Sequence, residues 1–250
     1  MTLIMPREGE DLMELAKRCD ALYICPKDSA GQRRGPLVPY AGKDGQGRSL
    51  VGDIYFNFAM IEPHLKVVER FAHVAYDKLL ELGLLDSFDT ICGIPEGGRT
   101  FGQMLAYIAD KRFVYPQKTP KPTPTSQKQE YTWTLPRFAF DIGEPVAFAE
   151  DVYNNFNNTD DTLSEIAVTG ANVVLLVGAL NRSPKYGTVY QPKTTSDSFA
   201  GLKLPVVAAI REPYDEYEQD DPAVKADVDA KNIEWNVKKN WTRLTDIMNS

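Results

Sequence analysis

Five short runs, 88–92, 112–115, 146–149, 173–180 and 205–210, punctuate the chain, separated by polar loops or by stretches of helical period. Apolar runs of this length without strict alternation are the pattern of strands buried on both faces of a parallel sheet. Helical spacing lies between and before them. Residues 8–21 carry Leu12, Leu15 and Ala16 on one face. Residues 62–82 carry Leu65, Val68, Phe71, Ala72, Ala75 and Leu79 on one face, with Gly83 placed to cap the helix end. A further helix is predicted over 101–110. Short strands are predicted at 22–25 and 53–59, and a short extended piece at 36–40. The pattern predicts an α/β fold, a parallel twisted sheet flanked by helices. It reads as a single domain over 1–250, with 1–60 and 200–250 as peripheral elaborations.

The polar stretches have their own reading. Residues 116–129 hold four prolines together with Lys118, Lys121 and Lys128. So little apolar surface predicts a mobile loop, either a lid beside a crevice or a solvated connector. Residues 131–140 read as an extended hairpin arm and 184–198 as a polar loop. A short helix is predicted over 222–230, with Asp221 as N-cap and Pro222 in its first position. Trp235, Trp241, Leu244 and Ile247 are expected to tether the tail to the body.

Composition narrows the function classes. The chain has 250 residues, 43% hydrophobic and 25% charged, an ordinary globular balance. A net charge of −7 argues against a nucleic-acid partner. Cys19, Cys25 and Cys92 are odd in number and lack metal spacing, which fits a reducing compartment. His64 and His73 are the only histidines, so a histidine-rich metal site is excluded. No apolar run reaches the roughly 18 residues of a membrane span, and no signal-peptide core is present. A cytoplasmic protein without a membrane partner is expected.

Two stretches carry candidate chemistry. Run 146–149 ends in Glu150 and Asp151, where the carboxyl end of a parallel strand meets the ligand crevice of an open α/β sheet. Adjacent carboxylates repel and require a cation, a hydroxyl-rich ligand or water; as a pair they read equally as solvated loop acids. The second stretch follows run 88–92: Gly93-Ile94-Pro95-Glu96-Gly97-Gly98-Arg99 leads into a helix. Glycine lets successive N–H groups converge on one anion, and a helix N-terminus adds favourable potential; the same stretch also reads as a tight turn that packs strand against helix.

The order of these motifs resembles the type I phosphoribosyltransferases, and within them the orotate enzymes, over roughly residues 36–182. Residues 88–98 are similar to the family's pyrophosphate loop, Tyr115-Pro-Gln-Lys-Thr-Pro-Lys121 to the start of its catalytic loop, and Val146-Ala-Phe-Ala-Glu-Asp-Val152 to the first half of its ribose 5-phosphate signature. The resemblance implies the fold and a hood over the base. It also implies transfer of phosphoribosyl from phosphoribosyl pyrophosphate to a small base, Mg²⁺ bound mainly through the substrate, and a homodimer. On this resemblance Lys118, Lys121 and Asp151 are the catalytic candidates, with no protein metal ligand. Gly93, Glu96, Gly97, Gly98 and Arg99 would hold pyrophosphate. Glu150 and Asp151 would take the ribose hydroxyls, Asn154, Asn155, Asn158 and Thr159 the 5-phosphate, and Arg182 a base carboxylate. The chain departs from the pattern at Gln117, Thr123 and Phe156, which stand where orotate enzymes have arginine, histidine and glycine, and Asp160 and Asp161 follow the phosphate loop. Three functions stay open: an orotate-type transferase, a transferase for another base, and a phosphoribosyltransferase-like binding or regulatory protein without turnover.

Overall fold

The computed structural model describes residues 3–120, 131–135, 137–193 and 201–249. The chain begins with α1 (Leu12–Arg18), capped by the Asp11 carboxylate, which accepts from the N–H groups of Met13 and Glu14. Then follow β1 (Leu22–Ile24), β2 (Val38–Lys43), β3 (Ser49–Gly52) and β4 (Ile54–Phe56). Next come α2 (Leu65–Glu81), β5 (Thr90–Gly93), α3 (Gly97–Ala109) and β6 (Arg112–Val114). The strands β7 (Gln117–Pro120) and β8 (Tyr131–Thr134) pair antiparallel. The second half of the fold is β9 (Pro145–Tyr153), α4 (Asn157–Ala167), β10 (Asn172–Asn181), β11 (Val189–Tyr190) and β12 (Leu204–Arg211), followed by α5 (Lys225–Asp229) and α6 (Trp241–Asn249).

The central sheet runs β11-β12-β10-β9-β5-β6. All its pairings are parallel except β11 with β12 at one edge. The five parallel strands are those the five runs predict. Both faces are covered, which is why the runs do not alternate. Ala147 and Ala149 of β9 face the core that includes α2 and α3, and Val146 and Phe148 face a second core holding Leu163 and Ile166 of α4. Small residues let α3 lie close on the sheet: a Cβ on Gly102 would come 2.9 Å from the Cβ of Ala149.

Some expectations are corrected. Leu65 is exposed, because α2 buries Val67 and Val68 at its start instead. Gly83 does follow the end of α2 with a φ of +67°, as a capping glycine should. The segment expected to be a loop from 116 onward begins as strand β7, whose backbone groups find partners in β8; residues 121–129 of that expectation lie outside the described residues. Helix α3 starts four residues earlier than 101. The 222–230 helix is shorter, with Val224 at its N-cap, although the Asp221 carboxylate still accepts from Ala223 N–H in the preceding turn. Leu204–Arg211 is the fifth parallel strand, as run 205–210 predicts. The Trp241 indole N–H donates to the Asp20 carbonyl and its ring meets Tyr55, so this residue does tether the tail, whereas Trp235 is half exposed.

Candidate functional site

Counted in chain order, the five parallel strands lie 2-1-3-4-5 in space, so the winding reverses between β5 and β9. Ligands of open α/β sheets bind at such a switch point, beyond the carboxyl ends of the strands. The turn 94–96 leaves β5 there, and β9 brings Glu150 and Asp151 to the same edge.

The two stretches are in direct contact. The Ile94 N–H donates to the Ala149 carbonyl at 2.8 Å. A Cβ on Gly97 would lie 2.1 Å from Asp151 Oδ2, and one on Gly98 would lie 2.4 Å from the Ala149 carbonyl oxygen. Only glycine fits at Gly98, where the atoms met are backbone; a Cβ at Gly97 would require the Asp151 side chain to move. The peptide bond between Pro95 and Glu96 is cis. Gly97 and Gly98 open α3, so their N–H groups have no intrahelical acceptor and remain available to an anion.

Glu150 is buried, and its carboxyl is pushed well above the usual range by burial and by the neighbouring Asp151, opposed by a hydrogen bond with Asn158. Burial also pushes Asp151 up, to about 6, against hydrogen bonds from backbone N–H groups that favour its charge. With its carboxyl at about 6, Asp151 is mostly ionised at neutral pH, and Glu150 holds its proton more tightly than an ordinary glutamate does.

Beyond the acids the chain turns through residues 154–156 into α4. Phe156 sits at the α4 N-cap in the left-handed region, at φ +63°. Its ring is held between Tyr153, 4.7 Å away, and Tyr190, 4.3 Å away, with Tyr186 edge-on. Here glycine's conformation is retained by a residue whose side chain is buried in aromatic packing. A cavity of about 310 Å³ opens in front of this turn, lined by Glu150, Asp151, residues 152–159, Arg182 and residues of β2 and β4 that include Tyr40 and Tyr55. Buried polar atoms lining it lack a hydrogen-bond partner: Asn154 Oδ1, Asn155 Nδ2, Thr159 Oγ1 and Arg182 Nη1. Unpartnered buried polar atoms are costly, and several converging on one cavity mark a place for a polar ligand. Arg182, just past β10, lies with its guanidinium carbon 3.9 Å from the centre of the Tyr40 ring.

The structure therefore brings together Glu150, Asp151, Asn154, Asn155, Asn158, Thr159 and Arg182, and sets Gly97 and Gly98 against Asp151. Gly93 is sealed inside the turn, where a Cβ would meet the Gly98 carbonyl oxygen at 2.7 Å. Two residues are turned elsewhere. Glu96 has a side chain 83% exposed. Arg99 stacks over Tyr115 at 4.5 Å and reaches the Pro116 carbonyl, so it does not line the acidic cavity. Lys118 lies on β7 opposite Trp133, described only in its backbone; Lys121 and Thr123 lie outside the described residues. Among the described residues no group of three or more His, Cys, Asp or Glu forms a metal cage, and no helix is long and apolar enough to cross a membrane. Tyr40, Tyr55 and Lys193 were not singled out for these roles by the sequence. Tyr40 and Tyr55 reach the cavity from β2 and β4, far away in the chain, and Lys193 contacts the Asn155 carbonyl of the turn that lines it.

The chain superposes on the UMP synthase of Leishmania donovani with a TM-score of 0.50 at 11% identity, over 95% of this chain and 41% of that one. The fold is that of the type I phosphoribosyltransferases. The chain thus spans well under half of the UMP synthase. Other chains with the phosphoribosyltransferase fold match less well in shape. The orotate phosphoribosyltransferase of Aeropyrum pernix gives a TM-score of 0.48 at 15% identity, over 80% of this chain and 94% of that one. The adenine phosphoribosyltransferase of Trypanosoma brucei gives 0.48 at 16%, over 84% and 87%. The sequence matches no family model and no curated protein.

Proposed function

We propose that the protein transfers a phosphoribosyl group from phosphoribosyl pyrophosphate to a nitrogenous base, with release of pyrophosphate. The observation that carries this reading is the contact of Gly97 and Gly98 with the acidic pair at the switch point, beside a cavity of unpartnered polar atoms. Asp151, ionised at neutral pH, accepts from one ribose hydroxyl. The buried Glu150 carboxyl takes the neighbouring ribose hydroxyl. The free N–H groups at the start of α3 face the pyrophosphate, and the start of α4 with the Thr159 hydroxyl takes the 5-phosphate. A base nitrogen bonds to C1 of the ribose as the C1–O bond breaks. The bonding pair leaves with pyrophosphate, and the base gives up its proton. The pair's oxygens are donors suited to Mg²⁺, which when bound supplies positive charge to the leaving pyrophosphate.

Orotate is the base this reading favours. The buried Arg182 Nη1 has no partner, and a guanidinium held over the Tyr40 ring is preorganised for a carboxylate. A second reading, a ligand-binding protein without turnover, is favoured by Phe156 in the turn that would cradle phosphate. Pyrophosphate release from phosphoribosyl pyrophosphate and Mg²⁺ with orotate, adenine and hypoxanthine separates them. Release with orotate alone supports the proposal. Release with a purine alone reassigns the base. Binding of phosphoribosyl pyrophosphate without release by any base gives the second reading, and absence of binding contradicts both.

A further inference from the structure

We propose that Lys193, from the loop after β11, is the positioning residue of the phosphomonoester subsite at the start of α4, and that its charge is part of what holds the phosphate. The inference rests on the reading above that this end of the cavity takes a sugar phosphate.

The turn 154–158 offers a phosphate only asparagines and one aromatic residue, and Asp160 follows in the first turn of α4. An acid there opposes an anion at the helix N-terminus. The structure removes that conflict from behind the turn. Asp160 Oδ2 accepts from the Tyr190 hydroxyl at 2.7 Å, and Oδ1 accepts from the Lys193 N–H at 3.1 Å. The Lys193 ammonium lies 3.9 Å from Asp160 Oδ2. The same ammonium donates to the Asn155 carbonyl at 2.6 Å and to Asn157 Oδ1 at 3.2 Å. In a planar trans peptide the carbonyl and the next N–H point in opposite directions. Pinning the Asn155 carbonyl on Lys193 therefore turns the Phe156 N–H away from the lysine and fixes the plane of the peptide that leads into α4.

The aromatic cluster makes the brace rigid. Phe156 packs on Tyr190 of β11, and Asn181 Nδ2 donates to the carbonyls of Tyr186 and Gly187, both at 2.9 Å, holding the loop that leads through Tyr186 into β11. Lys193 arrives three residues after Tyr190, with its ammonium 5.8 Å from the centre of the Tyr186 ring. The loop after β10, continuing through β11, thus buttresses the turn after β9, and the residues just past β11 deliver a cation to it. The second independent observation at this helix start is the fully buried Thr159, whose hydroxyl lacks a partner and lines the cavity.

The test titrates ribose 5-phosphate, with ribose and pyrophosphate as controls, into the wild-type chain and the Lys193→Met and Lys193→Arg variants. Loss of a charge-assisted contact predicts ribose 5-phosphate affinity in Lys193→Met lower by roughly ten-fold or more. Pyrophosphate affinity is expected unchanged, Lys193→Arg is expected to recover most of the loss, and the difference should shrink in high salt. Equal affinity of wild type and Lys193→Met for ribose 5-phosphate overturns the inference, as does a loss shared equally by ribose 5-phosphate and pyrophosphate. No binding of ribose 5-phosphate to the wild type overturns it together with the phosphate assignment. The pyrophosphate-release assay keeps the two claims apart. Lysine-dependent binding without release leaves the inference standing and removes the transferase. Release with lysine-independent binding does the reverse.

Discussion

Gly97 and Asp151 meet across the switch point so closely that a Cβ on the glycine would sit 2.1 Å from the carboxylate oxygen. The contact joins the end of β5 to the end of β9, and it makes the placement of the acid depend on the absence of a side chain in α3. Gly97→Ala can be accommodated if Asp151 shifts, because the atoms its Cβ would meet all belong to that one side chain. Gly98→Ala cannot, because its Cβ would meet the Ala149 carbonyl of the backbone at 2.4 Å. Gly97→Ala is therefore expected to fold with a near-native melting temperature and to lose phosphoribosyl pyrophosphate affinity. Gly98→Ala is expected to lose about 1–3 kcal/mol of stability, as overpacked cores do. Thermal melts and titrations of both variants check the contrast.

The acidic pair gives a pH dependence with a definite sign. Asp151 is raised from 3.8 to about 6 in the folded protein. The folded state thus holds a proton more tightly than the unfolded chain. The stabilisation this brings is complete below about pH 4 and is lost as pH rises through about 6. Stability of the ligand-free wild type relative to Asp151→Asn should fall over that window and level off above it. Affinity for a ligand that needs the ionised acid should rise through about pH 6 in the wild type. Parallel stability curves for wild type and variant would show that Asp151 does not titrate in that window.

Phe156 holds a left-handed conformation, at φ +63°, inside an aromatic stack. Phe156→Ala should cost about 3–5 kcal/mol, the usual loss for a buried phenylalanine. Phe156→Gly, normally the worse replacement, should be more stable than the alanine variant by about 1 kcal/mol, because glycine adopts positive φ freely. Chemical denaturation of the pair measures the order, and a less stable glycine variant would contradict the geometry.

Arg182 tests the choice of base. Arg182→Lys keeps a cation but loses the planar fork and the stacking on Tyr40. The KM for orotate is expected to rise at least about ten-fold, with the KM for phosphoribosyl pyrophosphate changing far less. Equal changes in both would place Arg182 outside the base subsite.

The sheet was legible because strands buried on both faces, such as Val173 to Leu180, must be apolar throughout. The acidic pair was legible because two adjacent carboxylates after such a run stand out. Other features depend on pairing across the chain and leave no local trace. The Gln117–Pro120 segment reads as loop, yet it pairs with Tyr131–Thr134. The start of α3 reads as loop because Gly97 and Gly98 are poor helix formers, and they are there to admit β9. Arg99 looks like part of an anion nest in sequence, but Tyr115 draws it away. Lys193 sits in an unremarkable polar stretch, and only folding brings it to Asn155. Phe156 looks incompatible with a tight turn until Tyr153 and Tyr190 are seen around it.

The central claim is that the acidic pair at the switch point is the ribose site of phosphoribosyl pyrophosphate. Calorimetric titration of phosphoribosyl pyrophosphate at fixed Mg²⁺ and neutral pH into wild type and Asp151→Asn measures it most directly. The asparagine retains size and part of the hydrogen bonding, so the fold is expected to survive. Losing the charge is expected to weaken binding by about ten- to a hundred-fold. A wild type that binds and an Asp151→Asn variant that binds equally well would contradict the assignment.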